Sequence, residues 1–590
     1  MGLLPFDPET TLQEKITCIC LKPSGRCRAE LGEANLQLNY KKSRYENDVL
    51  LQNEPINTND ANSNKAVHPE YKEEDIKELL IIGAGPHSLT LVLRLLEQDP
   101  DFMTDKERHE QAQYKTRMRP INQVNNHIRK LRRGPNAVFR KKKKPSLDTS
   151  CPPPLELNDI LQKTAIIDAH GEWMQTWKEN FATIGITQLR SLINAHADPY
   201  DHRSLEYYAE MMKRDGELIT LKHLTQRDKD FNGPYQAPST SVFEDFHELL
   251  IDAYGVRNAV QQGFVESIVP IENHYQENEP LFEVIVKDSQ GNSQKMWSKR
   301  VVSSMGPNFT SKDSLVWDTF LKDSPIPVPK ECVLRTHEIV PWLQQKQSDG
   351  PSKRVLIVGG GITSAQLALS ALKSSWCNGV TLLQRSKSLQ RQFDVKNEWM
   401  GKARGRLLDE FWSLDMKSRA KKLKEYRKGG SIPPETLKEL HQVAVGRNSE
   451  MELREEVEIS HVEYMDGKLH VSFDNDSCSE EYDMIWEATG SQNQLKKYPA
   501  LFSLSHHLPI DEVSGLPCLG KDLSWNNDNM KDDEPQGKQK ARARCWCMGV
   551  LAGLQLGPDA LNLVGARHGA VRVAQAIRQD FAKSKEMNIS

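Results

Sequence analysis

The chain has 590 residues, enough for two or three domains with cores of their own. Lysine and arginine number 78 against 81 aspartates and glutamates, so bulk charge argues for neither a nucleic-acid partner nor an anionic membrane surface. No apolar run approaches the roughly 18 residues of a membrane span, and "MGLLPFDPETTLQEK" lacks a basic segment followed by an apolar one and, with Phe6 in sixth place, the myristoylation pattern; the expectation is a soluble, cytoplasmic protein.

Residues 1–73 are polar, with "NTNDANSNK" close to low complexity, and read as an extension with little core of its own. The first strong signal is "KELLIIGAGPHSLTLVLRLL" from Lys77. A short aliphatic run reads as a buried parallel strand, and Gly83 and Gly85 then turn the chain into a helix with Leu89, Val92, Leu93 and Leu96 on one face. A strand that feeds a helix through G-x-G-x-x-[small] lets backbone N–H groups at the helix N-terminus face a pyrophosphate, because no Cβ blocks the approach. Pro86 and Ser88 complete this cradle, Ser88 standing in for the third glycine.

From about 101 to 162 the chain departs from a simple Rossmann passage, and these residues read as an insertion. Within it "RKLRRGPNAVFRKKKK", Arg129–Lys144, carries nine basic residues and no acidic one; a solvated face, a polyanion contact and a nuclear address all fit this composition. Beyond it "KTAIIDAHGEW" reads as the second strand, with Asp168 at its end, where an acid suits the ribose of FAD or caps a loop.

The pattern then recurs. "LFEVIVKDSQGN" and "KRVVSSMGPN" give β-rich chain returning to a strand with a small-residue turn, and "KRVLIVGGGITSAQLALSAL" from Lys353 opens a second cradle with Gly359, Gly361, Thr363 and Ser364. The strand "GVTLLQRSKS" follows, ending at Arg385; a cation there suits a 2′-phosphate and hence NADPH rather than NADH, the alternative being an ordinary exposed strand end. "HVEYMDGKLHVSF" signals a hairpin through Asp466-Gly467, and "DMIWEATGSQ" ends in a turn at Gly490. The fold class expected is α/β with two Rossmann-like dinucleotide-binding domains, an FAD domain and an NADPH domain inserted in it. The expected boundaries are 74–345 for the first part of the FAD domain, 346–480 for the NADPH domain and 481–590 for the C-terminal return. Duplication with one idle cradle is the alternative.

The ten cysteines are scattered, and Cys18/Cys20 and Cys545/Cys547 read as thiol pairs on one side of a strand, without metal.

With both cradles in place, the sequence resembles the flavin-dependent N-hydroxylating monooxygenases, the lysine and ornithine N-hydroxylase family. The likeness is carried by "GAGPHSL", by "EWMQTWKENFATIGITQLRS" with Pro199 and "LEYYA" after it, by "GGGITSAQ", "QFDVKNEWMG" and "WEATGSQ", and by "GVLAGLQLGPDALNLVGARHGA". It spans about 75–580. Three departures accompany it: the insertion, a Trp-His-x-Gly-Met element reduced to His170, Gly171 and Trp173, and Gly549 where many flavoproteins have Gly-Asp. The resemblance implies FAD and NADPH as cofactors, a small amine and O₂ as substrates, Gln175 beside the flavin and Asn397 as a substrate contact. Trp173, Trp177, Trp399 and Trp412 read as core, or as walls of a dry site. Two other readings stay open: another FAD/NAD(P)H oxidoreductase (a carbon- or sulfur-oxygenating monooxygenase or a flavin reductase), and a non-catalytic regulatory protein on a flavoprotein scaffold. Homo-oligomer formation is left open.

Overall fold

The structure is a computed structural model that describes residues 71–589 except 99, 102–119, 135–161, 222–223, 225–234, 274, 277–278, 308–319, 323–325, 346–350, 401–402, 428, 446–449, 476–477, 492 and 527–534. The N-terminal extension up to residue 70 and the lysine-rich end of the basic run lie outside the described residues.

Two five-stranded parallel sheets organise the chain. The first contains β1 (Leu79–Ile82), β2 (Thr164–Asp168), β3 (Val260–Gln262), β4 (Val301–Ser303) and β10 (Cys545–Cys547), in the spatial order β10-β4-β1-β2-β3. The second contains β5 (Val333–Arg335), β6 (Lys353–Val358), β7 (Cys377–Gln384), β8 (Met451–Glu455) and β9 (Met484–Glu487), in the order β5-β9-β6-β7-β8. The orders correspond position by position, with the cradle strands β1 and β6 at the centre of each sheet. Leu80 lies opposite Val301 and Ala165, and Leu356 opposite Ile485 and Thr381. The strands are continuous aliphatic runs because both faces of a parallel sheet are covered; β1 is buried along its whole length. The second sheet takes its first strand before residue 346 and its last after residue 480.

Each parallel sheet has an antiparallel companion. In the first, Phe264–Ile271, Leu281–Lys287 and Ser293–Ser298 run antiparallel and Ile76–Lys77 adds a parallel edge strand; Ile459–Met465, Lys468–Phe473 and Glu480–Tyr482 form the second. The hairpin expected at Asp466-Gly467 is present: Met465 pairs with Lys468, and both turn residues have positive φ, 51° and 79°.

Helix α1 (Pro86–Leu96) leaves the first cradle and packs against the long C-terminal helix α5 (Leu563–Ile589). Arg578 on α5 donates to the carbonyls of Arg94, Leu95 and Glu97, the otherwise unsatisfied acceptors at the end of α1. Inside the segment read as an insertion, α2 (Ile121–Leu131) buries Val124, His127, Ile128 and Leu131, so this part of it is docked on the domain. Its apolar spacing matches one helical face, while Arg129 and Lys130 project outward.

A buried ion pair ties the chain that follows the second cradle to the C-terminal return. Arg404 Nε lies 2.8 Å from Asp559 Oδ2, with the two side chains 3% and 0% exposed. Removing one member of such a pair strands the other charge in the interior, so Asp559→Ala is expected to cost about 3–5 kcal/mol of unfolding free energy. Urea unfolding followed by tryptophan fluorescence measures this.

Candidate functional site

At the first cradle, Gly83 adopts φ +96°, and a Cβ there would lie 2.8 Å from the Ser304 carbonyl oxygen at the end of β4. Its role is the tight turn. Gly85 differs: it caps the N-terminus of α1, and a Cβ built on it meets nothing within 4 Å. The space in front of the helix N-terminus is open, as a pyrophosphate requires. Pro86 occupies the first helical position, where its missing N–H costs nothing, and Ser88 is fully buried.

Asp168 stands at the end of β2, beside this turn. Its carboxylate accepts the backbone N–H of Ala84 at 2.8 Å and that of His170 at 2.9 Å, which leaves lone pairs on both oxygens. Met174 donates its own N–H to the Ala84 carbonyl at 2.8 Å and sits in the left-handed region at φ 59°. A non-glycine residue held there is strained. Gln175 begins α3 (Gln175–Ile184) and spends one amide hydrogen on Glu179, four residues on.

Several buried polar atoms around the first cradle have no partner among the described residues: His87 Nδ1, Ser88 Oγ, Ser304 Oγ and Asn562 Nδ2. His87 Nε2 faces the Leu561 carbonyl at 3.4 Å, and Gly549, with φ +75°, lies across from the ring. Burial pushes the His87 pKa down from its ordinary 6.5 to about 4. Unmet polar groups inside a protein are costly, and a cluster of them at an open cradle matches a polar ligand that would satisfy them. The first cradle therefore fits FAD. His87, Ser304 and Asn562 were not singled out from sequence; the "GAGPHSL" and "DALNLVG" segments that contain His87 and Asn562 were.

The second cradle has the same turn. A Cβ on Gly359 would collide with the Ala488 carbonyl oxygen at the end of β9, as one on Gly83 would with Ser304. Ser364 is buried and its hydroxyl donates within the turn, to the carbonyls of Gly359 and Gly361 at 2.8 and 2.7 Å. Thr363 lies in the first turn of α4 (Ile362–Leu372), and Gly490 follows β9 with φ +94°. Arg385, just past β7, has its side chain 84% exposed and 3.8 Å from Glu458. The residue before it, Gln384, escaped the sequence reading: it is buried, its Oε1 accepts from Ser388 and its Nε2 has no partner among the described residues. In contrast to the first cradle, the space before Gly361 is filled. A Cβ built there would lie 3.5 Å from the Cα of Gly430, so the chain itself stands before the second glycine.

Asn397 opens the short turn Asn397–Met400 and is half-buried. Beside it Trp399 is 1% exposed and would contact a Cβ on Gly557 in the C-terminal return. Trp173 donates to the Val256 carbonyl, Trp412 to that of Gln555, and Trp177 stacks on Phe181. All four tryptophans are thus engaged in packing, as core residues or as walls of a dry site are. Among the described residues no cluster of histidine, cysteine or acidic side chains could hold a metal, and no helix is long and apolar enough to cross a membrane.

Two parallel sheets of matching order, each with a glycine cradle, make an α/β fold with two Rossmann-like units. Residues 253–493 match the family described as L-lysine 6-monooxygenase/L-ornithine 5-monooxygenase. The chain is also similar to solved structures. The ornithine hydroxylase PvdA from Pseudomonas aeruginosa is 14% identical, with 86% of this chain and 100% of that one covered and a TM-score of 0.55. The ornithine N-hydroxylase KtzI from Kutzneria sp. 744, in a structure with reduced FAD, NADP+ and L-ornithine, is 12% identical over 86% and 99%, TM-score 0.55. The L-lysine 6-monooxygenase from Pseudomonas syringae is 15% identical over 85% and 99%, TM-score 0.51. At these identities the likeness concerns the fold. No curated protein matches.

Two predictions follow from the first cradle. Gly85→Ala places a methyl group in open space, so the protein should fold with unchanged melting behaviour yet purify without flavin absorbance; Gly83→Ala should lower the melting temperature as well. His87 has a folded pKa below its unfolded value, so its contribution is fully present above about pH 6.5 and is lost as pH falls towards 4. The apoprotein should lose about 3 kcal/mol across that window through this group, and His87→Gln should flatten the pH dependence of its urea midpoint accordingly.

Proposed function

We propose that this protein is an FAD- and NADPH-dependent monooxygenase that N-hydroxylates a small primary amine, the side chain of ornithine or lysine being the leading candidate. The observation that carries the reading is the family match across residues 253–493, which takes in the second cradle and the segment around Asn397. The open first cradle with its unmet polar atoms, and the ligands of the Kutzneria enzyme, support it.

FAD, when bound, supplies the redox chemistry that activates O₂ and oxygenates the amine. The chain's own work is to bind, orient and exclude water. Gly83, Gly85, Pro86 and Ser88 form the turn that would receive the pyrophosphate, and Asp168 stands where the ribose hydroxyls would lie. The Met174–Gln175 pair, anchored to Ala84 by the Met174 N–H, would form one rim of the flavin pocket. Asn397 offers a donor and an acceptor to an amino acid's carboxylate and amine, and Trp399, packed on Gly557, keeps that side dry. On the second unit, Gly359, Gly361, Thr363, Ser364 and Gly490 would surround NADPH, with Arg385 at its 2′-phosphate.

Two measurements test this. Coupled assays with diamines and basic amino acids should show NADPH oxidation ending as hydroxylamine, with little free peroxide, and Asn397→Ala should raise the amine concentration required without emptying the flavin site. If every equivalent of NADPH ends as peroxide across the panel, these substrates are wrong. Arg385→Ala should weaken NADPH over NADH by about 1.5–3 kcal/mol, the size of a hydrogen bond to a charged group. Equal loss for both coenzymes would make Arg385 structural.

A further inference from the structure

The two cradles differ in what stands before their second glycine. At Gly85 the place a Cβ would take is open to at least 4 Å, whereas at Gly361 the chain's own Gly430 lies 3.5 Å from it. The contact is close from the other side too: a Cβ on Gly430 would come within 2.6 Å of the Gly361 Cα and 2.7 Å of the Gly360 carbonyl carbon and oxygen. In this fold the second glycine lacks a side chain so that a pyrophosphate can approach the backbone. Gly430 occupies the corresponding ground, and only a glycine could sit so near.

The segment is tied down on its C-terminal side. Ile432 is fully buried, donates to the Leu389 carbonyl at 2.9 Å and accepts from the Arg391 N–H at 2.9 Å. Arg190, which follows α3 in the first domain, reaches across: its guanidinium donates to Ser431 Oγ at 2.6 Å and to the carbonyls of Gln392 and Arg391 at 2.5 and 3.0 Å. Gln392 answers by donating to the Arg190 carbonyl. On the N-terminal side Gly429 and Gly430 are exposed, Gly429 has φ +76°, and Arg427 pairs with Asp394 and donates to the Pro558 carbonyl. Beside Gly360 the buried Gln384, whose Oε1 lies 3.9 Å from where a Cβ on Gly360 would stand, keeps its Nε2 without a partner among the described residues. A polar donor left unmet beside a filled cradle is costly in the closed arrangement and would be met by a polar ligand.

We infer that Gly429–Ser431 is a strap over the second cradle, latched by Arg190, which the pyrophosphate of a dinucleotide must displace to bind. The inference rests on the reading of that cradle as the NADPH site. Arg190 is a positioning residue: it sets how often the cradle stands open, and the affinity observed is the intrinsic affinity reduced by that open fraction. Because the latch begins in the first domain and ends on the second, access for the coenzyme is coupled to the flavin-side segment.

The test uses the FAD-loaded full-length protein. Titration calorimetry with NADP+ is run on the wild type, on Gly430→Ala, whose methyl group cannot be seated against Gly360 and Gly361, and on Arg190→Lys, which keeps the charge but loses the fork. Both variants should bind NADP+ about tenfold more tightly, as expected if the closed form dominates tenfold in the wild type, while flavin content and melting temperature hold. Hydrogen–deuterium exchange on the wild type should show peptides covering 429–432 exchanging faster, and those covering 359–364 slower, when NADP+ is added. Unchanged or weaker binding in Gly430→Ala would overturn the strap, leaving the coenzyme reading intact if the wild type binds NADP+. Absence of NADP+ binding in all three proteins would overturn both.

Discussion

The architecture depends on one close approach made twice. In each unit the first glycine of the cradle lies against the carbonyl oxygen that ends the neighbouring strand, Gly83 on Ser304 and Gly359 on Ala488. A side chain at either position would push the central strand away from its partner. That would break the register that places Leu80 beside Val301 in one sheet and Leu356 beside Ile485 in the other. The same contact fixes the direction in which each helix leaves its strand, and with it where the helix N-terminus presents its free N–H groups.

The parts of this plan that rest on local pattern were legible in the sequence. Both cradles, the strand ending at Asp168 and the turn at Asp466-Gly467 are written in contiguous residues whose period and turn chemistry admit few alternatives. The long-range parts were not. Nothing around Gly430 announces that it meets Gly361, about 70 residues away in sequence, because such proximity follows from how the chain after β7 folds back. Arg385 drew notice as a charge at a strand end, yet Gln384, one residue earlier, is the side chain turned inward; strand alternation assigns neighbours to opposite faces but not which face holds the site. Within the basic segment the charge run obscured the apolar face of α2, which becomes readable once Val124, His127, Ile128 and Leu131 are seen on one side.

That docked helix joins a buried polar network. His127 Nε2 lies 3.0 Å from Asp198 Oδ2, and its ring stacks on Tyr200 at 3.9 Å. Burial works to raise the Asp198 pKa, but His127 outweighs it and holds the carboxyl below the usual range. Arg567 on α5 donates to the carbonyls of His196 and Asp198 and pairs with Asp101 at 2.7 Å. Elements far apart in sequence are thus locked by charges that water does not reach, an arrangement that penalises the loss of any single member more than its net worth as a pair.

The strand β10 carries Cys545 and Cys547, both fully buried, beside β4 and one residue short of the Met548 N–H that binds Ser303. Burial pushes the Cys547 thiol up to about 12 and the Cys545 thiol higher still. Oxidants attack the thiolate, and these sulfurs have neither the charge nor the access for it. A protein that handles reduced flavin and O₂ sits next to any peroxide it leaks, and here the thiols flanking the first cradle are kept in the form that tolerates it. Among the described cysteines the exposed one is Cys478, which is remote in the chain from the first cradle.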